Sequence, residues 1–224
     1  MSRLTVITGR RGKGKTSLAY WLACEGGRGV VVFDPTEAFG IGIIVNDGQK
    51  FEAVLDGEIS PVVFQMADAV NRPDAVEADF AQFVTAVKHF RNIGVVVDES
   101  SYLQSPNWIA PALDDEIRVG RRRDHDVFLT LHRMADCNGI LLDLVTDFKF
   151  FQTKNPKSLD RIAEYCGPAV AGIVSTLGDH EFLSYDVERG LYSVNVSPEV
   201  WRVSLNAEAT APSPLAESRK ESVQ

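Results

Sequence analysis

The sequence predicts an α/β fold with a mostly parallel central sheet, and three observations carry that expectation. Short apolar runs stand at residues 4 to 8 (LTVIT), 29 to 33 (GVVVF), 93 to 97 (IGVVV) and 127 to 131 (VFLTL). Longer stretches of helical character lie between them, so strands and helices alternate along the chain. The run before Asp98 is nearly continuous rather than alternating, which marks a strand covered on both faces. With 224 residues and 45% hydrophobic content, the chain can bury the core of one large domain, or of a domain with a modest appendage.

The first strand gives way to GRRGKGKT and then to SLAYWLACEGG, which suits a helix closed near Gly26 and Gly27. Residues 29 to 33 make the second strand, DPTEAFG supplies its exit turn, and 61 to 65 add a short strand. Val76, Phe80, Phe83, Val84, Val87 and Phe90 recur at intervals of three and four, with Glu77, Asp79, Gln82 and Lys88 on the other side. This is an amphipathic helix, and its phenylalanines belong to the core rather than to a base-stacking platform. Beyond the strand at 93 to 97, a helix is expected to begin near Asn107 and to turn Ile109, Leu113 and Ile117 inward. Trp108, between Pro106 and Pro111, suits a helix-start anchor or a subunit contact. Strands are expected at 127 to 131 and 145 to 151, followed by a helical or helix-turn-helix segment at 158 to 175 that Gly167 and Pro168 interrupt. HEFLSYD and LYSVN flank VERG as a terminal hairpin outside the main alternation. The expected division is a core at 1–155, a helical and hairpin extension of the same domain at 156–206, and a flexible tail at 207–224, which is small, polar and proline-containing.

Composition narrows the function classes. No apolar stretch approaches the roughly 20 residues of a membrane-spanning helix, and the N-terminus lacks the long apolar centre of a signal peptide. The expected setting is a cytosol. Cys24, Cys137 and Cys166 lie in separate segments without a CxxC pair, which points to buried free thiols rather than disulfides or a thiolate metal site. His89, His125, His132 and His180 show no zinc-ligand spacing. A net charge of -8 argues against a protein cationic all over, yet bases cluster at Arg10, Arg11, Lys13 and Lys15 and again at Arg118, Arg121, Arg122 and Arg123.

The chemistry resides first in Gly9-Arg10-Arg11-Gly12-Lys13-Gly14-Lys15-Thr16, which matches GxxxxGK[ST] and sits between a strand and a helix, as a phosphate-binding loop requires. Gly9, Gly12 and Gly14 let backbone N–H groups curve around a phosphate, and the helix start, with Ser17 in its first turn, adds further N–H donors. Lys13 joins the cradle, Lys15 reaches the terminal phosphates, and the Thr16 hydroxyl is a ligand for Mg²⁺. The second part is VVVDE, where Asp98 and Glu99 stand at the carboxyl end of a strand, the edge at which open α/β sheets bind ligands. Asp98 is expected to hold Mg²⁺ and Glu99 to polarise the attacking water. The expected substrate is therefore ATP with Mg²⁺. His132, closing LTLHR, is a candidate for binding the γ-phosphate or orienting water. One of Arg121, Arg122 and Arg123 suits an arginine finger acting on a neighbouring subunit's nucleotide, against a plain salt-bridged surface as the alternative. Asp34-Pro35-Thr36-Glu37 reads as a turn that can lie near the nucleotide.

Together GRRGKGKTS, VVVDES, GRRR and LTLHR resemble the FtsK/HerA-like P-loop ATPases, in particular the genome-packaging ATPases of membrane-containing double-stranded DNA viruses, over roughly residues 3 to 195. The resemblance implies a RecA-like sheet in which the strand ending at His132 inserts beside the phosphate-loop strand and brings His132 toward Lys15. Glutamine is frequent at that place in the family, so the histidine is a departure. It also implies Arg122 as the trans-acting finger and a homo-oligomeric ring around double-stranded DNA. A capsid vertex protein becomes a candidate partner, and the host cytoplasm or a virion vertex the location. Filamentous-phage assembly ATPases of the Zot type share the motifs but generally carry membrane-spanning segments. A signalling GTPase does not fit, because TKNP at 153 to 156 lacks the aspartate of guanine selection. A vertex module that binds ATP as a structural switch with little turnover is the alternative from another class.

Overall fold

The computed structural model describes residues 2–25, 28–37, 39, 40, 42–45, 51, 61–65 and 73–196. The strands are β1 (Leu4–Thr8), β2 (Gly29–Asp34), β3 (Ile43–Val45), β4 (Val62–Gln65), β5 (Ile93–Val97), β6 (Gln104–Ser105), β7 (Trp108–Ile109), β8 (Asp126–Leu131), β9 (Asp147–Phe151), β10 (Glu181–Asp186) and β11 (Leu191–Val196). The helices are α1 (Lys15–Cys24), α2 (Pro73–Val87), α3 (Pro111–Val119), α4 (Gly139–Leu142), α5 (Pro156–Cys166) and α6 (Pro168–Thr176).

Among the described residues the large sheet runs β11-β10-β9-β1-β8-β5-β2-β4-β3. Every pairing from β9 to β3 is parallel. The mostly parallel RecA-like sheet is therefore present, with β8 inserted between β1 and β5. The continuous apolar runs follow from burial on both faces. Ile7, Val32, Val96 and Phe128 pack under Leu18, Leu22 and Ala23 of α1, while Val6, Val31, Val95 and Leu129 turn to the opposite face with α2 and α3. Phe33 meets Phe80 with ring centres 4.9 Å apart and Phe83 at 5.6 Å, so those phenylalanines of α2 do form core.

Two sequence expectations change and two are filled in. The helix near Asn107 starts at Pro111, because Asn107 lies in the turn between β6 and β7 and Ile109 pairs with Gln104; proline is favoured in a first helical turn. The terminal hairpin lies outside the alternation of strand and helix, as expected, and it also joins the sheet: β10 pairs antiparallel with β9 and extends it by two strands. The strand expected at 145 to 151 begins at Asp147. The segment at 158 to 175 is two helices broken at Gly167, whose φ is 93°. Gly26, Gly27 and the tail at 207–224 lie outside the described residues. No helix among the described residues is long and apolar enough to cross a membrane.

Candidate active site

The five strands β9, β1, β8, β5 and β2 present their carboxyl ends along one edge, and the chemistry-bearing residues leave the sheet there. Gly9 follows β1 and donates its N–H to the Leu131 carbonyl at 3.4 Å. It has φ 153°, and a Cβ at that position would stand 2.5 Å from Phe151 Cβ, so the loop lies flush on the end of β9. Gly14, at φ 94°, precedes α1 without a side-chain cap, which leaves the first N–H groups of the helix directed into the loop.

Lys15 is only 6% exposed. Its Nζ donates to the Arg10 carbonyl at 3.3 Å and lies 3.3 Å from His132 Nδ1. Burial holds this ammonium below the usual lysine range, against the attraction of Glu99 and Asp98. An anion within reach of Lys15 would offset that cost.

Asp98 leaves β5 and is buried. Its Oδ1 accepts from Thr16 Oγ1 at 2.9 Å and from Thr130 Oγ1 at 2.7 Å, and its Oδ2 is 3.5 Å from Thr36 Oγ1. Burial pushes this carboxyl up, the two closer threonine bonds pull it down, and Asp34 and Glu99 add to the rise. The Thr16 hydroxyl and one carboxylate are hard oxygen donors beside a phosphate loop, the sparse set that Mg²⁺ accepts when substrate and water complete its shell. Among the described residues no cluster of three or more His, Cys, Asp or Glu side chains offers a metal cage of protein ligands alone.

Glu99 adopts the left-handed conformation, φ 46° and ψ 55°, which costs a non-glycine residue on the order of 1 kcal/mol. Its backbone N–H donates to Thr130 Oγ1 at 2.9 Å. The carboxylate accepts from Ser101 Oγ at 2.5 Å and meets His132 Nε2 at 3.0 Å. An ammonium has no acceptor, so Lys15 donates to Nδ1, and the tautomer with its proton on Nε2 satisfies both contacts of His132. The histidine thus links Lys15 to Glu99. A cavity of about 600 Å³ opens over Glu99, Ser101, His132 and Arg133, walled also by Arg10 and Arg11 and by Thr153 to Asn155.

The structure brings Gly9, Gly12, Gly14, Lys15, Thr16, Asp98, Glu99 and His132 to one edge of the sheet. Ser17 lies in the first turn of α1, and Lys13 points to an ion pair with Asp179, in the loop before β10. Arg122 is not part of this group. It sits just before β8, a strand of six residues that spans roughly 17 Å, while His132 follows the other end of that strand. Arg121 donates to the Leu144 carbonyl and accepts from Ser2; the Arg123 carbonyl accepts from Asn92. Of the three, Arg122 alone is solvent-exposed. The turn after β2 does approach the site: Asp34 accepts from Thr36, Phe39 and Gln65, which sets Thr36 beside Asp98. Sequence reasoning named Thr36 only as part of that turn, and missed Ser101 and Thr130. Thr130 had one signal, a polar residue inside VFLTL at even spacing from His132, hence on the same side of the strand.

No protein-family model matches the chain, and no curated protein matches it in sequence. Solved structures do. The genome packaging NTPase B204 from Sulfolobus turreted icosahedral virus 2, in complex with ATP-gammaS, is 20% identical, with a TM-score of 0.70 over 88% of this chain and 98% of that one. VirB4 of Thermoanaerobacter pseudethanolicus is 14% identical, with a TM-score of 0.67 over 89% and 91%. The N-terminal domain of zonular occludens toxin from Neisseria meningitidis is 15% identical, with a TM-score of 0.50 over 90% and 97%. At such identities the likeness is one of fold, and the fold this chain shares with B204 is the RecA-like P-loop NTPase fold.

Proposed function

We propose that the chain is a Mg²⁺-dependent ATPase whose turnover drives translocation of double-stranded DNA, in the service of packaging a viral genome into a preformed capsid. The observation that carries the ATPase reading is the contact of Thr16 with Asp98 at 2.9 Å, with Glu99 next in sequence and Lys15 buried beside it. The likeness to B204 along nearly its whole length supports the packaging task.

In this reading the glycine loop and the start of α1 bind the phosphates, and Lys15 neutralises the terminal ones. Thr16 and Asp98 would hold Mg²⁺, which when bound offsets charge on the phosphoryl oxygens. Glu99 accepts the proton of the attacking water, and His132 fixes the direction of its carboxylate. Arg122 reaches the nucleotide of a neighbouring subunit, which is consistent with its exposure at the far end of β8. Double-stranded DNA and a capsid vertex protein are the proposed partners of the ring. The host cytoplasm is its proposed location, with a virion vertex as a further one.

Purified protein should hydrolyse ATP faster with duplex DNA than without it. Empty capsids supplied with this protein, ATP and DNA should take up nuclease-protected DNA. Nucleotide binding with no turnover under either condition would favour the structural switch instead. DNA-stimulated turnover with no packaging would leave another translocation task, such as filamentous-phage-type extrusion.

A further inference from the structure

Thr130 is 1% exposed on β8, among Phe128, Leu129 and Leu131. Packing there needs no hydroxyl, yet this one serves as both donor and acceptor. Its Oγ1 donates to Asp98 Oδ1 at 2.7 Å and accepts the Glu99 N–H at 2.9 Å. A hydroxyl has a single proton, and a backbone N–H can only donate, so the direction of both bonds follows. The Thr130 carbonyl accepts from Ser100 Oγ at 2.9 Å. One residue of the neighbouring strand therefore fastens three consecutive residues beyond β5.

The consequence falls on the two carboxylates. Thr16 also donates to Asp98 Oδ1, from the phosphate-loop side, whereas Thr130 bonds both Asp98 and Glu99. Glu99 occupies a left-handed backbone, and its N–H is held there by Thr130, while its carboxylate meets His132, two residues further along the same chain segment.

We propose that Thr130 is a positioning residue that fixes Asp98 and Glu99 relative to each other, and so sets both the affinity of the site for Mg²⁺ and the placement of the base. This rests on the ATPase reading of the site. Thr130→Val keeps the shape and removes the hydroxyl; Thr130→Ser keeps the hydroxyl.

The first measurement needs no turnover: binding of a fluorescent ATP analogue, titrated with Mg²⁺. In Thr130→Val the half-maximal Mg²⁺ effect should move up by about 10- to 100-fold, the usual cost of losing a partner of a metal ligand. Binding without Mg²⁺ should stay at the parent level. The kcat for ATP should fall by a similar factor with little change in KM, and Thr130→Ser should restore both. Folded Thr130→Val with the parent's Mg²⁺ dependence and kcat overturns the proposal. So does a Thr130→Ser as impaired as the valine variant, since shape would then be what matters. If the valine variant does not fold, Thr130→Ala serves in its place; failure of both to fold, beside a parent-like serine variant, assigns the hydroxyl to folding and overturns the proposal as well. A parent protein that turns over no ATP refutes the ATPase reading, while the Mg²⁺ titration still decides the role of Thr130.

Discussion

Lys15 carries its charge in a place where burial disfavours it, and so the phosphate loop holds a cation at a cost that a bound anion offsets. Lys15→Ala should leave the fold intact and sharply weaken MgATP binding; calorimetry giving the parent's affinity would remove Lys15 from the phosphate site. Glu99 faces a different test. Both of its carboxylate oxygens have donors, Ser101 and His132, so Glu99→Gln retains size and hydrogen-bonding capacity but loses the proton acceptor. MgATP binding should persist while single-turnover hydrolysis falls by roughly 10²- to 10⁴-fold, and unchanged hydrolysis would exclude Glu99 as the base. The octet from Gly9 to Thr16 and the pair Asp98–Glu99 were legible in the sequence because each is a local pattern with a local context. Thr130 was not, because its role arises only when β8 lies beside β5 and places residues 32 apart within 2.7 Å. His132 stands between these cases: its place beside Lys15 follows from strand order, which came from the family resemblance rather than from its neighbours in sequence.

At the scale of elements, the seating of α1 depends on a glycine of the sheet beneath it. A Cβ on Gly94 of β5 would come 2.9 Å from Ala23 Cβ and 3.0 Å from the Ala23 carbonyl oxygen. Gly94→Ala should therefore push α1 outward, cost about 1–3 kcal/mol as overpacking does, and weaken nucleotide binding without altering any phosphate-site residue; chemical denaturation and an ATP-analogue titration measure the two effects. The junction of the hairpin with the sheet offers a pH test. Lys149 of β9 donates to Ser184 of β10 at 2.5 Å, and burial holds its ammonium below the usual lysine value of 10.5, against the attraction of Asp147. The unfolded chain thus keeps this proton to higher pH than the folded one, so the cost of burying the charge is complete below the depressed value and is relieved as pH rises toward 10.5. Lys149→Met should be at least as stable as the parent at pH 7, and its advantage should shrink as the pH is raised; a gap that widens would contradict the assignment. The elements themselves were readable from their apolar periods. The hairpin was readable as well, but its pairing with β9 was not, because that pairing is non-local, and the helix near Asn107 was begun too early because its first inward residue, Ile109, belongs to a two-residue strand.

At the scale of the molecule, Arg122 and the phosphate loop of the same chain lie at opposite ends of β8, so any service of Arg122 to a nucleotide is to a neighbour's. Arg122→Ala should still bind MgATP, and Glu99→Gln should retain the arginine; mixing these two inactive chains under assembly conditions should restore hydrolysis at interfaces that pair an intact Glu99 with an intact Arg122. Normal turnover by assembled Arg122→Ala chains would end this assignment, and the same assay on Arg121 and Arg123 would test its neighbours. The exposure of Arg122 against the half-buried Arg121 and Arg123 could not be seen in three identical letters. The ion pair between Lys13 and Asp179 joins the phosphate loop to the segment that leads into β10. A carboxylate and a phosphate that draw on one ammonium repel each other, so the two occupancies are thermodynamically linked. If a bound phosphate weakens the hold of Lys13 on Asp179 by some factor, then anything that draws Asp179 away from Lys13 tightens phosphate binding by the same factor, and the loop before the hairpin reports on the occupancy of the loop before α1.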